Sequence, residues 1–178
     1  SMANNELSGP LVSAFLYRAL SRLKNRRFNY RFVVVPETIG SIVYLSRFGN
    51  ALKKNCRAGL VVTCCGDDKA ITYKKTRRGD TELDAIVLQM LEHHGKPFDF
   101  LEYFPLGSDE RQYCSPGFNL PVGSLGRTMY LKWPQYHTSA DDKSFISMEG
   151  MRESLSLYLK VLLALEENRL YKNKIMNC

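Results

Sequence analysis

Residues Tyr30–Gly40 read YRFVVVPETIG, and this stretch sets the class of fold. Tyr30–Val35 is an aromatic and β-branched run short enough for a strand buried on both faces, and Pro36 ends it by removing a ladder donor. From Ile39 to Leu52 the apolar positions recur at helical spacing, so the stretch predicts strand, tight turn and helix in succession. The pattern repeats downstream. Gly59–Cys65 and Ala70–Lys75 predict a second and third strand, and Phe98–Phe104 a fourth. Leu83, Ile86, Val87, Met90 and Leu91 line a helix begun by Asp80 or Thr81 and ended by Gly95. Upstream, Val12, Phe15, Leu16, Ala19, Leu20 and Leu23 predict an amphipathic helix opened by Ser8-Gly9-Pro10. A last helix is expected over Met148–Glu167, and the Gly- and Pro-punctuated stretch from Leu106 to Ser147 reads as a long loop. Strands separated by helices predict an α/β fold, a three-layer α/β/α sandwich with a mostly parallel sheet.

Composition sets the surroundings. The 178 residues, 44% hydrophobic and 24% charged, suit a single domain over residues 1–178 with a full core. The apolar runs fall short of the roughly 18 residues of a membrane span, and the N-terminus lacks the basic-then-apolar pattern of a signal peptide. No membrane partner is expected. Cys56, Cys64, Cys65, Cys114 and Cys178 have no regular spacing, which fits a reducing cytoplasm. The net charge of +7 invites a nucleic-acid reading. However, the basic residues come as doublets (Arg26-Arg27, Lys53-Lys54, Lys74-Lys75, Arg77-Arg78) at the ends of apolar segments, without interleaved aromatics. They read as solvated turns, and nucleic acid is not expected as a partner.

Parallel sheets bind ligands beyond the carboxyl ends of their strands. That rule gathers Glu37 after the first strand, Asp67 and Asp68 after the second, and Asp109, Glu110 and Arg111 after the fourth, with His137 able to join from the long loop. Carboxylates and one imidazole, without a Cys-x-x-Cys pair, suit an open zinc site in which a separate carboxylate activates water. Acids at strand ends also serve as helix caps and turn residues, and His93-His94 before Gly95 reads as a helix terminus.

ANNELSGP (Ala3–Pro10), PETIGS (Pro36–Ser41), GDD (Gly66–Asp68), GSDERQYCSPGFNLPVGSL (Gly107–Leu125) and YHTSADD (Tyr136–Asp142) occur in that order across nearly the whole chain. Together they resemble the aminopeptidase-like zinc hydrolases, in the branch with a winged-helix partner domain associated with bacterial surface-polysaccharide biosynthesis. The resemblance implies that Glu37 is the general base and that Asp67 and His137 are metal ligands. Thr38 stands where a second metal-binding acid is usual, and Asn4 or Asn5 where two-metal enzymes have a bridging aspartate. These departures favour one zinc ion as cofactor. A further ligand histidine is expected upstream of Ser1, so the resemblance implies an N-terminally truncated piece of a longer protein.

Asp109, Glu110, Arg111 and Tyr113 are expected to bind substrate. Arg111 is read either as a fork for a substrate carboxylate or as an ion-pair partner of Asp109. The implied activity is hydrolysis of an amide bond in a small peptide or an acylated amino sugar. The alternative, motivated by Asn4, Asn5 and Thr38, is an inactive hydrolase fold serving as a binding or assembly module of a polysaccharide pathway. Assembly into a homo-oligomer is left open.

Overall fold

The computed structural model describes residues 2–169. Five helices and four strands follow one another as α1 (Gly9–Ser21), α2 (Ile39–Asn55), β1 (Gly59–Val62), β2 (Ile71–Lys74), α3 (Glu82–His94), β3 (Phe98–Leu101), α4 (Glu110–Tyr113), β4 (Val122–Gly126) and α5 (Met148–Glu167). A π-helical turn, Ala3–Ser8, runs directly into α1. The sheet order is β1-β4-β2-β3. β1 and β4 run parallel, as do β2 and β3, while β4 and β2 run antiparallel. The sheet is therefore mixed, with two parallel ladders joined by an antiparallel one.

Side chains alternate across the sheet and divide the core in two. Leu60, Val62, Ile71, Tyr73 and Leu125 face α1, α3 and α5, joining Val12, Leu16, Leu83, Val87, Leu157 and Val161. On the other face Val61 and Val122 meet Leu45 of α2 and Cys114 beside α4. This is the expected three-layer arrangement, with a thicker helical layer on one side.

Two expected elements turned out differently. Tyr30–Val35 is irregular, and Val34 is 76% exposed. A β-branched run becomes a strand only when a ladder partner satisfies its backbone, and among the described residues this run pairs with none. Instead it is tied back to α5: the Arg27 and Phe28 amides and the Tyr30 hydroxyl donate to Glu166, at 2.6, 3.3 and 2.7 Å. The second difference is β4, which lies inside the stretch read as loop. Its sequence, VGSLG, lacks strand periodicity because Gly123 passes directly over the Tyr73 ring, where a Cβ would stand 2.6 Å from Cε2. Packing removed the signal that pattern reading needs.

α5 is anchored by charge. Glu153 receives Arg127 at 2.8 Å, His94 at 2.8 Å and Lys96 at 2.5 Å. Burial alone would push its carboxyl up, but the hydrogen bonds from Lys96, Arg127 and His94 outweigh that and hold it at about 2, against an ordinary 4.5. A carboxyl depressed in the folded state contributes stability that is present above about 4.5 and is lost as pH falls through about 2. Glu153→Gln should therefore cost about 1–2 kcal/mol at neutral pH, after discounting solvent screening at Lys96. The gap between variant and parent should close as pH falls toward 2, which denaturant melts across the pH range would reveal. An equal gap at every pH would show that the cost lies in packing.

Candidate active site

An open cleft of about 1660 Å³ runs along edge strand β1, and its lining includes Glu37, Asp109, Arg111, Tyr113 and His137. Residues as far apart as Glu37 and His137 thus share one wall. Glu37 is exposed at the entrance to α2. His137 is also exposed, has a positive φ of 56°, and stacks on Tyr136 with ring centroids 3.9 Å apart.

The turn carrying Glu37 has an unusual backbone. Thr38 has φ 63° and ψ −70°, and the Ile39 amide donates to the Glu37 carbonyl at 2.7 Å. This is a γ-turn of positive φ, a strained conformation that is rarer still for a β-branched residue. Two side chains from the GSDER segment hold it. The Asp109 carboxylate accepts the Thr38 amide at 2.8 Å, and the Arg111 guanidinium donates to the Thr38 hydroxyl at 2.9 Å. Neither alternative read for Arg111 describes this contact.

Glu110 does not reach the cleft. It is fully buried under the same loop, paired with Lys74, which is only 1% exposed. Its placement gives it no route to a substrate.

Asp67 does not line the cleft and is 2% exposed. Its carboxylate accepts four hydrogen bonds: from the Thr128 hydroxyl at 2.7 Å, the Lys69 amide at 3.0 Å, the Asn4 side chain at 3.2 Å and the Thr128 amide at 3.3 Å. Four is about what an ionised carboxylate can accept. Asn4 is itself wholly buried, with its side-chain oxygen taking the Gly66 amide at 2.8 Å. Among the described residues no group of three or more His, Cys, Asp or Glu is arranged to hold a metal ion. The donor set as folded here does not make a zinc site.

Sequence reasoning missed Asp141. Buried and bidentate, it accepts the Asn4 and Asn5 amides at 2.6 and 3.0 Å and so fixes the π-helical turn to the YHTSADD segment. The Asp-Asp doublet was visible in that motif, but nothing in the sequence separates the buried Asp141 from the exposed Asp142. Thr128 carried no signal at all. Cys64 also lies here, and burial, with the charges of Asp67, Asp141 and Glu37 added, pushes its thiol up to about 12. It stays protonated at neutral pH, which removes it as a nucleophile.

The fold and the motif order find matching relatives. The family model described as Domain of unknown function (DUF4910) matches residues 1–168. A Clostridium acetobutylicum protein, named as a candidate polysaccharide biosynthesis protein with aminopeptidase-like domain, is 47% identical over all 178 residues, and the chain spans 40% of its length. The crystal structure of a candidate peptidase from the same organism superposes on 95% of this chain and 39% of its own, at 47% identity and a TM-score of 0.91. A zinc aminopeptidase from Bacillus subtilis, 18% identical, shares the fold alone, with a TM-score of 0.74 over 92% of this chain and 42% of its own. No helix among the described residues is long and apolar enough to cross a membrane. The chain belongs to the DUF4910 family and has the aminopeptidase-like α/β fold.

Proposed function

We propose that the full protein containing this chain hydrolyses amide bonds, in a small peptide or an acylated amino sugar, with Glu37 as general base. The observation supporting this most directly is that Glu37, Asp109, Arg111 and His137, drawn from three separate motifs, line one cleft. Glu37 is exposed there on a turn of fixed geometry, as a group that exchanges protons with water and substrate must be. In this reading it takes a proton from the attacking water and returns it to the departing amine. Tyr113 and the cleft wall position the substrate.

Zinc is named for the Bacillus subtilis neighbour. Asp67 and His137 are the donors this chain would offer it. Asp67 is already saturated by Asn4, Thr128 and Lys69, so its carboxylate as folded has no free lone pair to offer a metal.

Glu37→Gln removes the base while keeping the shape of the side chain. It should lower kcat by about 10²–10⁴-fold, the usual contribution of a positioned base. Hydrolysis of leucyl-p-nitroanilide and of N-acetylated amino sugars by the full protein would check this, and a variant with parental turnover would remove Glu37 from the role.

A second reading is favoured by one observation. Where a charged acid would serve a metal, Asn4 is a neutral amide spent on Asp67 and Gly66. In that reading the chain is an inactive hydrolase fold acting as a binding or assembly module, and the parental protein turns over neither substrate class.

A further inference from the structure

We propose that Asp109 and Arg111 are positioning residues: together they clasp the strained γ-turn at Thr38 and thereby fix Glu37 at the cleft. The proposal rests on the reading of Glu37 as general base. It assigns these two side chains a role different from substrate binding.

The argument begins with the backbone. Thr38 combines φ 63° with ψ −70°, in a region where the side chain of a threonine is poorly accommodated. Such conformations persist only where surrounding contacts over-determine them. Here those contacts can be named. The Asp109 carboxylate accepts the amide of Thr38, Arg111 donates to its hydroxyl, and the flanking Ile39 amide closes on the Glu37 carbonyl. The peptide linking Glu37 to Thr38 is thus gripped from the side, and its orientation sets the direction in which Glu37 leaves the chain.

The clasp is itself anchored. Asp109 and Arg111 flank Glu110 in sequence, and Glu110 is sunk in the core on Lys74. Lys74 is held in turn by the Leu106 carbonyl at 2.7 Å and the Phe104 carbonyl at 3.3 Å. The three adjacent charges of the GSDER segment therefore divide the work: the central one fixes the loop inward, and the two outer ones reach to the turn that carries the base. A one-residue shift of this register would point the wrong side chains at Thr38.

The test compares Asp109→Ala, Asp109→Asn, Arg111→Met and Thr38→Val with Glu37→Gln in the full protein. The readouts are leucyl-p-nitroanilide kinetics and hydrogen exchange at the Thr38 amide. The expected result is a fall in kcat of about 10-fold or more for Asp109→Ala and Arg111→Met with KM unchanged within twofold, since only the reacting geometry is disturbed. Asp109→Asn, which keeps an acceptor for the amide, should recover part of the loss. Thr38→Val combined with Arg111→Met should be no worse than either alone, because both remove the same contact. Asp109→Ala should also speed exchange of the Thr38 amide by about 10-fold or more, with protection of the core strands unchanged.

A rise in KM with kcat preserved in the Arg111 and Asp109 variants would return these residues to substrate binding and overturn the clasp. Unaltered exchange at Thr38 would overturn it as well, whether or not the protein turns over the probe. If Glu37→Gln keeps parental turnover while Asp109→Ala accelerates exchange, the clasp stands and the base assignment fails.

Discussion

Lys74→Met should lower the free energy of unfolding by about 3–5 kcal/mol, the cost of leaving one member of a buried ion pair uncompensated. Lys74 lies on central strand β2, 1% exposed, on the face covered by α4, and pairs there with the wholly buried Glu110. Two backbone carbonyls, Leu106 and Phe104, take its remaining donors, and the Phe104 ring lies 4.2 Å from the ammonium nitrogen. Methionine fills the same volume and brings no charge. It leaves the Glu110 carboxylate and the Phe104 carbonyl without their donor in a site that water does not reach, while the Leu106 carbonyl keeps the Tyr130 hydroxyl at 2.7 Å, and the penalty arises there. Lys74→Met together with Glu110→Leu should recover most of the loss, because replacing both partners by apolar groups is often close to neutral. Urea titration of the four proteins of this cycle measures the coupling directly. A loss below about 1 kcal/mol for Lys74→Met would mean that the pair is not buried as described.

Gly9→Ala should cost about 2–3 kcal/mol, against the helix propensity of the two residues. Gly9 opens α1 with helical dihedrals, where alanine is favoured by about 1 kcal/mol in an isolated helix. The new methyl, however, would fall within contact distance of the Val62 carbonyl oxygen, 2.9 Å from the carbonyl carbon and 3.2 Å from the Thr63 Cα. These are backbone atoms of a strand held in its ladder, so neither side can yield cheaply, and overpacking of this kind costs 1–3 kcal/mol or more. Gly117→Ala is the control. A Cβ at Gly117 meets nothing within 4 Å, and the substitution should be neutral or slightly stabilising. A Gly9→Ala protein as stable as the parent in urea would place α1 farther from β1.

Where local pattern and tertiary packing agreed, the elements were legible. The spacing of Leu83, Ile86, Val87 and Leu91, between a start at Asp80 or Thr81 and an end at Gly95, gave α3 to within a residue or two, and Met148–Glu167 proved to be α5 as read. Tyr30–Val35 shows the opposite case: its β propensity is strong, but propensity cannot supply a ladder partner. β4 failed for the complementary reason, since a strand whose Gly123 is dictated by Tyr73 and whose Gly126 by the Thr63 carbonyl carries no alternation to detect. At the site, Glu37, Asp109, Arg111 and His137 line one cleft, whereas Asp67 and Glu110 do not. The motifs could not say how each carboxylate would be used. Asp67 and Glu110 are both acids in segments that follow strands, yet one is saturated by four donors and the other, at the start of α4, is sunk on a lysine, and only three-dimensional packing distinguishes them.

The sheet order also governs how the chain can assemble. β1 and β2 follow each other in sequence but share no ladder; the strand that joins them, β4, is synthesised about 60 residues after β1. Among the described residues, β1 has no ladder partner until Val122–Gly126 has emerged, and the β2–β3 pair keeps the edge destined for β4 open. Closing the sheet is therefore a single late event that brings both halves of the domain together, with a long loop to be ordered first. Over that interval the nascent domain carries unpaired strand edges, the feature most prone to pair with the wrong chain.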